Sequence, residues 1–549
     1  MGILKQALRR IGDRSRGAIL LGWALLIPIV YLGPVALSRF DPAAPLTVGI
    51  CTVLALAVVV LYWRTRVLDR VGQGFRGAAP LLLGLAVVAY TAVSLTLAHQ
   101  RWATFSPHLS QLGIFAQSSW TTLHGHFFAN THETVDGSLA SHFGLHFSPT
   151  LLLLVPLYAV WPSPLSLMAA QALAVALSVV PLYLLLRPRA GSLGGALLAV
   201  GLLGVPVLAH AGHNDFHDTT FLPVLLLTAL WALETGRWRV FIAAAVAALG
   251  VREDAGLVFV MLGLYAGVRG WGWKRAGLIA AAGAAWFLVA SRAIIPRFES
   301  PGLWMDAQGF VGYHLGRWGG TPLEVAGAFL SRPVDLLRDI LARDRLHYVY
   351  GLLQPTLFLP VPGNPAWIMG VPQLAINVLS EHQYMRQVLK YYAIIPALFA
   401  FVATARTAAR LAGSRRRPER AAAGPAVALV VLMGLLPALV LNRPPEPRSS
   451  PPAASARAVL DLVPPDAAVY APVGLYPHLA NRECMAVWES LGERILMAEE
   501  RARYDWIVLW PEGDPPGEPR DARLADALAE DTGYRRVDGF APLLVYRRR

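Results

Sequence analysis

The sequence predicts an all-α polytopic membrane protein with about 13 transmembrane helices, a large outside loop and a small C-terminal α/β domain. The composition excludes an ordinary soluble protein, since 55% of the 549 residues are hydrophobic, 15% are charged and the mean hydropathy is +0.47. Apolar runs long enough to cross a bilayer recur along the chain. Lysine and arginine fall in short clusters between these runs, as in cytoplasmic loops. The net charge of +13 therefore does not indicate a nucleic acid partner.

Residues 1–78 are predicted to form an N-terminal helical hairpin followed by a basic cytoplasmic loop. An apolar run near Gly17–Leu37 is too long for a signal peptide and is followed directly by a second run near Pro45–Trp63. Basic residues flank the pair on both sides, which places both ends of the hairpin inside. The protein is therefore expected in the cytoplasmic membrane as a multi-pass protein with its N-terminus inside.

Residues 79–441 are predicted to form the transmembrane core, with outside loops at 99–149 and 298–346. The run Thr150–Trp161 is too short to cross about 30 Å of hydrocarbon and fits an interfacial or re-entrant helix. An amphipathic stretch at Val334–Leu341 predicts a surface helix. The remaining spans and helices of the core are expected near Ala79–Leu97, Leu165–Leu186, Gly191–Ala209, Thr219–Leu233, Phe241–Val251, Ala255–Val268, Ala276–Ile295, Val349–Val361, Ala366–Leu379, Tyr392–Ala408 and Ala421–Leu441.

The composition changes after residue 441. Residues 442–455 form a linker rich in Pro, Ser and Arg, and residues 456–549 are polar with short apolar runs that predict an α/β domain. The β-like runs are Ala468–Ala471, Met485–Trp488, Trp506–Trp510 and Leu543–Tyr546, and the helix-like runs are Ala454–Leu462 and Arg520–Leu528. An odd number of spans starting inside places this domain outside the cell. It carries no glycine fingerprint for a nucleotide, and the two cysteines, Cys51 and Cys484, provide neither a disulfide framework nor a zinc site.

The first outside loop is the strongest candidate for a working surface. A connection between two helices needs only a few residues, whereas this loop is long and rich in titratable and aromatic side chains. It holds the acids Glu133 and Asp136 and seven of the 14 histidines. These histidines are His99, His108, His124, His126, His132, His142 and His146. His142 and His146 would share a face on a helix, a spacing that metal sites use. A divalent metal, hydrogen bonding to a polar ligand, and helix packing all stay open, and no cofactor is established.

Three further polar motifs interrupt the apolar core. Asp215 and His217 lie between two spans, where helix capping and a site role are both open. Arg252-Glu253-Asp254 breaks an apolar stretch, and charged groups at that depth either pair internally or serve a site, with the cation on a phosphate and the acids on a metal or sugar hydroxyls. The predicted topology puts both motifs on the outer side with the histidine loop and with a third group, which comprises Glu381, His382, Arg386 and Lys390. We therefore expect one composite site.

An ordered series of motifs resembles a known family. The motifs are Gln111-Leu112-Gly113-Ile114-Phe115-Ala116-Gln117-Ser118-Ser119-Trp120, His142-Phe143-Gly144-Leu145-His146-Phe147-Ser148-Pro149, Pro156-Leu157-Tyr158, Asp215-Phe216-His217, Arg252-Glu253-Asp254, Pro372 to Ser380, Tyr391 to Pro396, and Pro477-His478-Leu479-Ala480-Asn481-Arg482. Together they resemble the bacterial membrane family called domain of unknown function 2079. That family is similar to the GT-C superfamily of glycosyltransferases, which take sugars from polyprenyl-phosphate carriers and keep an acidic base in the first outside loop.

The resemblance implies a GT-C-like core and a sugar transfer from a polyprenyl-phosphate donor, among membrane lipids, to a glycan, lipid or protein acceptor. It also exposes a departure, because Gln111 and Ala116 stand where the family usually has aspartates, and a glutamine cannot accept a proton at neutral pH. Glu133, Asp136, Asp215, Glu253 or a histidine would have to replace that base. The alternative is a non-catalytic scaffold or ligand-binding protein of the cell envelope. The candidate site residues are Asp136, Asp215 and Glu253 as catalytic groups, and Gln111, Gln117, His142, His146, His217, Arg252, Asp254, Glu381, His382, Arg386 and Lys390 as substrate-binding groups.

Overall fold

The computed structural model describes residues 78–303, 309–356, 364–412, 450–515 and 517–549. The N-terminal hairpin predicted at Gly17–Leu37 and Pro45–Trp63, the span near Ala421–Leu441 and most of the linker 442–455 lie outside the described residues, as does Cys51. The expectations for those segments stay predictions.

Most of the described chain is helical. The α-helices before the C-terminal region are α1 Ala79–Ala103, α2 Ser110–Leu123, α3 Val155–Val160, α4 Pro164–Leu177, α5 Val179–Gly201, α6 Pro206–Ala211, α7 Leu222–Glu234, α8 Trp238–Leu249, α9 Ala255–Val268, α10 Trp273–Val289, α11 Gly309–Leu315, α12 Pro322–Ser331, α13 Pro333–Ile340, α14 Arg343–Leu353, α15 Val371–Leu379 and α16 Ile394–Ala412. A short antiparallel pair, β1 Ala129–Asn130 and β2 Ala140–Ser141, and the 3₁₀ turns His142–Gly144, Pro149–Leu154, Asp218–Phe221, Pro365–Gly370 and Tyr391–Ala393 lie among them.

Within the described residues, four helical segments are long and apolar enough to cross a membrane: Ala79–Ala103, Pro164–Gly204, Trp273–Arg297 and Tyr391–Arg410. Large apolar side chains stay exposed along the first of them, with Leu81 at 65% and Val88 at 67%. An apolar surface of this kind is stable against lipid and unstable against water. The chain is therefore a membrane protein, and the total number of spans stays a prediction.

The segment Pro164–Gly204 is not a single straight helix. Gly191 has φ 73°, which is the left-handed region that glycine adopts without a steric penalty. A Cβ added at Gly195 would lie 3.0 Å from the Cα of Arg187, so the chain doubles back on itself at this point. The turn lies between the two spans predicted at Leu165–Leu186 and Gly191–Ala209.

Three helices of the core, α7, α8 and α9, have 13, 12 and 14 residues and lie where short spans are predicted near Thr219–Leu233, Phe241–Val251 and Ala255–Val268. At 1.5 Å per residue each is about 20 Å long, which is less than the hydrocarbon thickness of a bilayer. Polar turns interrupt the apolar sequence between them. Helix α9 packs closely on α10, because a Cβ at Gly256 would lie 2.4 Å from the carbonyl oxygen of Gly283.

The C-terminal region contains a five-stranded sheet. Its strands are β3 Val469–Tyr470, β4 Met485–Ala486, β5 Trp506–Leu509, β6 Tyr534–Val537 and β7 Leu544–Arg548, and its helices are α17 Ala453–Leu462, α18 Tyr476–Leu479, α19 Trp488–Leu491, α20 Ala498–Arg501 and α21 Arg520–Ala529. The spatial order is β4-β3-β5-β7-β6, in which β3 is parallel to β4 and β5, and β7 is antiparallel to β5 and β6.

Both faces of this sheet are buried. Val508 contributes to one apolar cluster, whereas Ile507 and Leu509 contribute to another, as expected when successive side chains point to opposite faces of a strand. The first cluster also includes Phe105 and Ile114 from the segment that precedes and begins α2. The sheet therefore packs directly against the first predicted outside loop.

Helix α2 makes the closest contact with the C-terminal region. A Cβ at Gly113 would lie 2.3 Å from the ring of Tyr476, so only glycine allows this approach. The buried side chain of Gln117 donates to the carbonyl oxygen of Arg482 (3.1 Å) and accepts from the hydroxyl of Tyr476 (2.9 Å). The threonine Thr131 also bonds with the backbone of Met485. These contacts join two parts of the chain that are more than 300 residues apart.

Candidate functional site

A buried histidine and glutamate form the first pair of a polar cluster. The Nδ1 of His142 lies 2.9 Å from both carboxylate oxygens of Glu133, and Asn130 donates its side-chain N–H to the same carboxylate at 2.7 Å. Burial raises the pKa of Glu133, but the charge and hydrogen bond of His142 outweigh burial and lower it. The pKa of His142 is raised for the reciprocal reason, despite its burial. The two groups therefore form an ion pair.

His146, one turn further on, pairs with a second glutamate. Its Nδ1 lies 2.9 Å from Glu253 Oε1, and the backbone N–H of Phe147 donates to the other oxygen at 3.1 Å. Burial raises the pKa of Glu253, but the charge and hydrogen bond of His146, together with the charge of Arg252, outweigh burial and lower it. The His146 side chain is 22% exposed and that of Glu253 is 5% exposed. The glutamate therefore orients a histidine that a ligand could reach.

The structure explains how His146 meets a turn that is distant in sequence. The backbone N–H of Thr150 donates to the carbonyl of Gly250 (2.8 Å), and its hydroxyl donates to the carbonyl of Ala247 (2.8 Å). These bonds attach the segment after His146 to the C-terminal end of α8. Glu253 follows directly in the turn between α8 and α9.

The same turn contains a buried arginine. Arg252 Nη2 lies 3.2 Å from Asp254 Oδ2, and both side chains are about 5% exposed. Burial lowers the pKa of Arg252, but the charges of Asp254, Asp218 and Glu253 outweigh burial and raise it. Among the described residues, no group hydrogen-bonds to the buried atoms Arg252 Nε, Asp254 Oδ1 or His142 Nε2. Buried polar atoms normally have a partner, so each of these atoms marks a position at which a polar ligand or water could bind.

A third pair lies at the end of the turn before α7. His217 Nδ1 lies 2.5 Å from Asp218 Oδ1, and the His217 ring stacks on Tyr391 with centroids 3.3 Å apart. Gln171 of α4 fixes this turn, since it accepts from His217 N–H (2.7 Å) and donates to the carbonyl of Asp215 (2.9 Å). Burial raises the pKa of Asp218, but the charges of His217 and Arg252 outweigh burial and lower it.

The three pairs and the arginine share one electrostatic environment. His146, in its protonated form, acts electrostatically on Glu133 and Asp218, and the charge of Arg252 acts on Asp218 and Glu253. The structure thus brings together the histidine loop, the turn before α7 and the Arg-Glu-Asp turn. We name this group the histidine–carboxylate cluster, and its members are Glu133, His142, His146, His217, Asp218, Arg252, Glu253 and Asp254.

The motif around His382 lies at the edge of this cluster. His382 Nε2 is 2.8 Å from the carbonyl oxygen of Tyr313, and its ring lies 5.8 Å from that of His314. Burial lowers the pKa of His314 to about 3, and the charges of Arg252 and other histidines add to this effect. Glu381 is exposed and accepts a hydrogen bond from the backbone of Arg317.

The two cations of this motif, Arg386 and Lys390, lie in different surroundings. Arg386 is committed to Asp344, at 2.8 Å, and to the carbonyl of Ser380, at 2.5 Å. Lys390 is exposed, and its charge acts on Asp215. Lys390 is therefore the cation that is available to a ligand at this edge.

Asp215 caps a helix that is distant in sequence. Its carboxylate accepts from the backbone N–H groups of Gln111 (3.1 Å), Leu112 (2.9 Å) and Phe216 (2.8 Å), and the first two belong to the first turn of α2. Burial raises the pKa of Asp215 to about 7, although the three backbone hydrogen bonds lower it. The helix that Asp215 caps is α2, not one of the spans on either side of it in the sequence.

Asp136 and Gln117 have contacts outside the cluster. Asp136 Oδ1 accepts from the backbone N–H (3.0 Å) and the hydroxyl (2.6 Å) of Ser138, and its carbonyl accepts from Arg503 of the C-terminal region. Gln117 joins α2 to the same region. Both side chains therefore stabilise the loop and its contact with the sheet.

The described residues contain no group of three or more His, Cys, Asp or Glu side chains that could hold a metal ion. The rings of His142 and His146 lie 6.0 Å apart, and each Nδ1 faces its own glutamate. The assignment of these two histidines to a metal stays a prediction.

Sequence reasoning did not select several members of the cluster and its surroundings. Asp218 directly follows His217, so an acid beside a histidine in a polar turn was an available signal. His314 lies in a segment that the sequence predicts as a surface, and Tyr391 begins an apolar span. No pattern in the sequence identifies Gln171, a buried glutamine in an apolar helix.

Comparisons with known proteins place these observations in context. A family model described as "Predicted membrane protein (DUF2079)" matches residues 110–537. The chain is similar to the crystal structure of ArnT from Cupriavidus metallidurans bound to undecaprenyl phosphate, with 15% identity and a TM-score of 0.43 over 84% of this chain and 97% of that chain. For ArnT from the same organism in the apo state, the identity is 16% and the TM-score 0.42 over the same shares. No curated protein matches the chain.

Proposed function

This chain belongs to the family of predicted membrane proteins DUF2079, and we propose that it is a GT-C-like glycosyltransferase. In this proposal it moves a sugar from a polyprenyl-phosphate donor to an acceptor hydroxyl on the outer side of the cytoplasmic membrane. The observation that carries the proposal is the histidine–carboxylate cluster, in which three oriented histidines and a buried arginine lie at the polar ends of apolar helices. Charges in such a position are costly, and they are retained where they serve a site.

His146 is the group we assign as the general base. Its Nδ1 is bound by Glu253, which leaves Nε2 to take a proton. The acceptor hydroxyl attacks the anomeric carbon of the sugar, the bond from that carbon to the phosphate oxygen breaks, and the proton passes to His146 Nε2. The electron pair leaves with the polyprenyl phosphate, and the configuration at the anomeric carbon inverts. Glu253 is a positioning residue that stabilises the resulting imidazolium.

Arg252 is the group we assign to the phosphate. Its guanidinium is permanently charged and planar, which suits a phosphate oxygen better than a point charge does. Its Nε has no hydrogen-bond partner among the described residues, and Asp254 holds its Nη2 in place. Lys390 at the exposed edge would add positive charge for the leaving phosphate.

Asp136 and Asp215 are less suitable as bases. Both carboxylates accept hydrogen bonds from backbone N–H groups that order the loop and the start of α2. Removal of either charge would disturb the fold before it disturbed a reaction. We therefore assign structural roles to Asp136 and Asp215, and we assign the role of proton acceptor to His146.

A lipid-linked donor fits the location of the cluster. An outward-facing site has no access to sugar nucleotides of the cytosol, whereas a carrier lipid can enter from the bilayer. The exposed apolar surface of α1 and the long span Trp273–Arg297 provide a lipid boundary for such a carrier.

The second candidate is a non-catalytic scaffold or ligand-binding protein of the envelope. The observation that favours it is the absence of a carboxylate at Gln111 and at the fully buried Ala116, the two positions where the family resemblance implies aspartates. The two functions are separated by incubating the purified protein in nanodiscs with polyprenyl phosphate-linked glucose, mannose and arabinose. Release of free polyprenyl phosphate that depends on His146 supports the transferase. No release with any donor, together with unchanged cell-surface glycans in a deletion strain, overturns it.

A further inference from the structure

The C-terminal sheet contains a topological switch point. From β3 the chain crosses to β4 on one side, and from β4 it crosses back to β5 on the other side, so β3 lies between its two parallel partners. The connection from β5 then continues away from β3 towards β6. In open α/β sheets a crevice forms at the carboxyl ends of the two strands whose connections leave in opposite directions, and ligands bind there. The strands concerned here are β3 and β5.

A cavity of about 410 Å³ occupies this position. Pockets that bind small molecules span roughly 300–1,000 Å³, so this one can hold a small ligand. Its walls are formed by residues that directly follow β3, β4 and β5, by the start of α21, and by Pro107 from the segment before α2. We name it the switch-point cleft, and the residues used below are Trp488, Glu489, Trp510, Asp514, Arg520 and Asp521.

The charges of the cleft disfavour an anion. Three carboxylates line it, with one arginine. Arg520 is partly neutralised by Glu518, 2.5 Å away, and by Glu489, 3.5 Å away. A phosphate or carboxylate ligand would meet a net negative lining, and its repulsion would oppose binding.

The cleft also disfavours a cation as its main ligand. The aromatic face that would attract an ammonium group belongs to Trp488, and the guanidinium of Arg520 already lies 5.7 Å from the centroid of that ring. Burial raises the pKa of Asp521 to about 7, which reduces the negative charge available to a cation.

The polar lining combines acceptors with donors. Glu489 and Asp521 offer carboxylate oxygens, and Arg520 offers N–H groups. The indole N–H of Trp510 is buried and has no hydrogen-bond partner among the residues that the structure describes. A hydroxyl both donates and accepts, so several hydroxyls on a rigid ring suit this mixture better than any singly charged group. The ring of Trp488, which is only partly buried, can pack against the C–H groups of a sugar beside the Arg520 guanidinium.

We propose that the switch-point cleft binds a neutral sugar unit. This site lies in the C-terminal region and does not use the histidine–carboxylate cluster, so it goes beyond the transfer reaction proposed above. It gives the envelope-facing part of the protein its own means of holding a glycan.

The test uses the full chain in detergent and saturation-transfer NMR with neutral disaccharides of glucose, mannose and N-acetylglucosamine. Choline and a galacturonate oligomer serve as the cationic and anionic probes. We expect at least one neutral disaccharide to bind with Kd of about 0.1–10 mM, and Trp488→Ala to weaken it about tenfold, which is the loss of one stacking face. Glu489 is exposed, so its replacement should not disturb folding. Glu489→Gln should weaken disaccharide binding about threefold.

The matched control is Glu512→Gln, because Glu512 is exposed in the same part of the chain but does not line the cleft. It should leave sugar binding unchanged, and Glu253→Gln should do so as well, which separates this proposal from the transferase. Tighter binding of choline or galacturonate, no neutral disaccharide bound at about 10 mM, or equal binding by wild type, Trp488→Ala and Glu489→Gln would each overturn the proposal.

Discussion

Replacement of Glu253 by glutamine is the sharpest test of the assigned base. The side chain keeps its size, and its carbonyl oxygen can still accept from the Phe147 N–H, 3.1 Å from the present carboxylate. In the wild-type protein His146 Nδ1 lies 2.9 Å from a carboxylate oxygen of Glu253. In the variant the amide N–H₂ takes the place of that oxygen and faces Nδ1. The histidine must adopt the tautomer in which Nδ1 accepts and Nε2 carries the proton. A protonated Nε2 cannot take a proton from the acceptor.

The expected loss follows from this change of tautomer. General-base catalysis contributes about 10²- to 10⁴-fold, so kcat should fall by that factor while KM changes little. The variant should also lose about 1–3 kcal/mol of stability, because a buried charge-assisted hydrogen bond is lost. The double variant of Glu253→Gln with His146→Gln should be no slower than the slower single variant, since the two residues act as a unit.

Glu234→Gln is the matched control. Glu234 also forms a buried ion pair, at 2.6 Å from Arg406, but it lies at the far end of α7, about 20 Å along the helix from the cluster. We expect a similar loss of stability in thermal unfolding and no loss of donor consumption in nanodiscs. If Glu253→Gln consumes donor within about threefold of wild type, or if both variants lose activity equally, the base assignment is wrong.

Three further predictions concern His478, Gly113 and Gln111. Burial lowers the pKa of His478 to about 4. The neutral imidazole therefore stabilises the fold above the ordinary pKa of about 6.5, and this stabilisation is lost as the pH falls towards 4. In thermal unfolding between pH 7 and 4.5, His478→Phe should remove up to about 3 kcal/mol of this pH dependence. Gly113→Val should lower the free energy of unfolding by about 1–3 kcal/mol, because the new side chain clashes with Tyr476. Gly84→Val should lower it by less than about 1 kcal/mol, because nothing lies within 4 Å of the added Cβ. Gln111→Asp should change donor consumption less than about threefold, because the histidine–glutamate pair already supplies the base, and a rise of tenfold or more would move the base to position 111.

The membrane class and the family could be predicted from the sequence, and both are confirmed. Apolar runs and basic clusters are local properties of the sequence. An ordered set of motifs can likewise be recognised without knowing which residues are in contact. The β-like runs at Ala468–Ala471 and Trp506–Trp510 also coincide with β3 and β5, because a strand that is buried on both faces is a short continuous apolar run in the sequence.

The partners within the site could not be predicted in the same way. His146 and Glu253 are 107 residues apart, and their contact depends on how Thr150 attaches to the end of α8. Asp215 illustrates the same difficulty, since the helix that it caps begins 104 residues earlier. Residue spacing reports which side chains share a face of one element, but it does not report which elements meet.

The contact of Gln117 with Tyr476 constrains the order in which the protein can mature. Helix α2 is synthesised early, yet the hydrogen-bond partners that fix it leave the ribosome more than 300 residues later. The loop that carries His142 and His146 therefore stays without its final support until the C-terminal region has joined it. Biogenesis itself thus delays any chemistry of this loop until the segment that contains Tyr476 and Arg482 is in place.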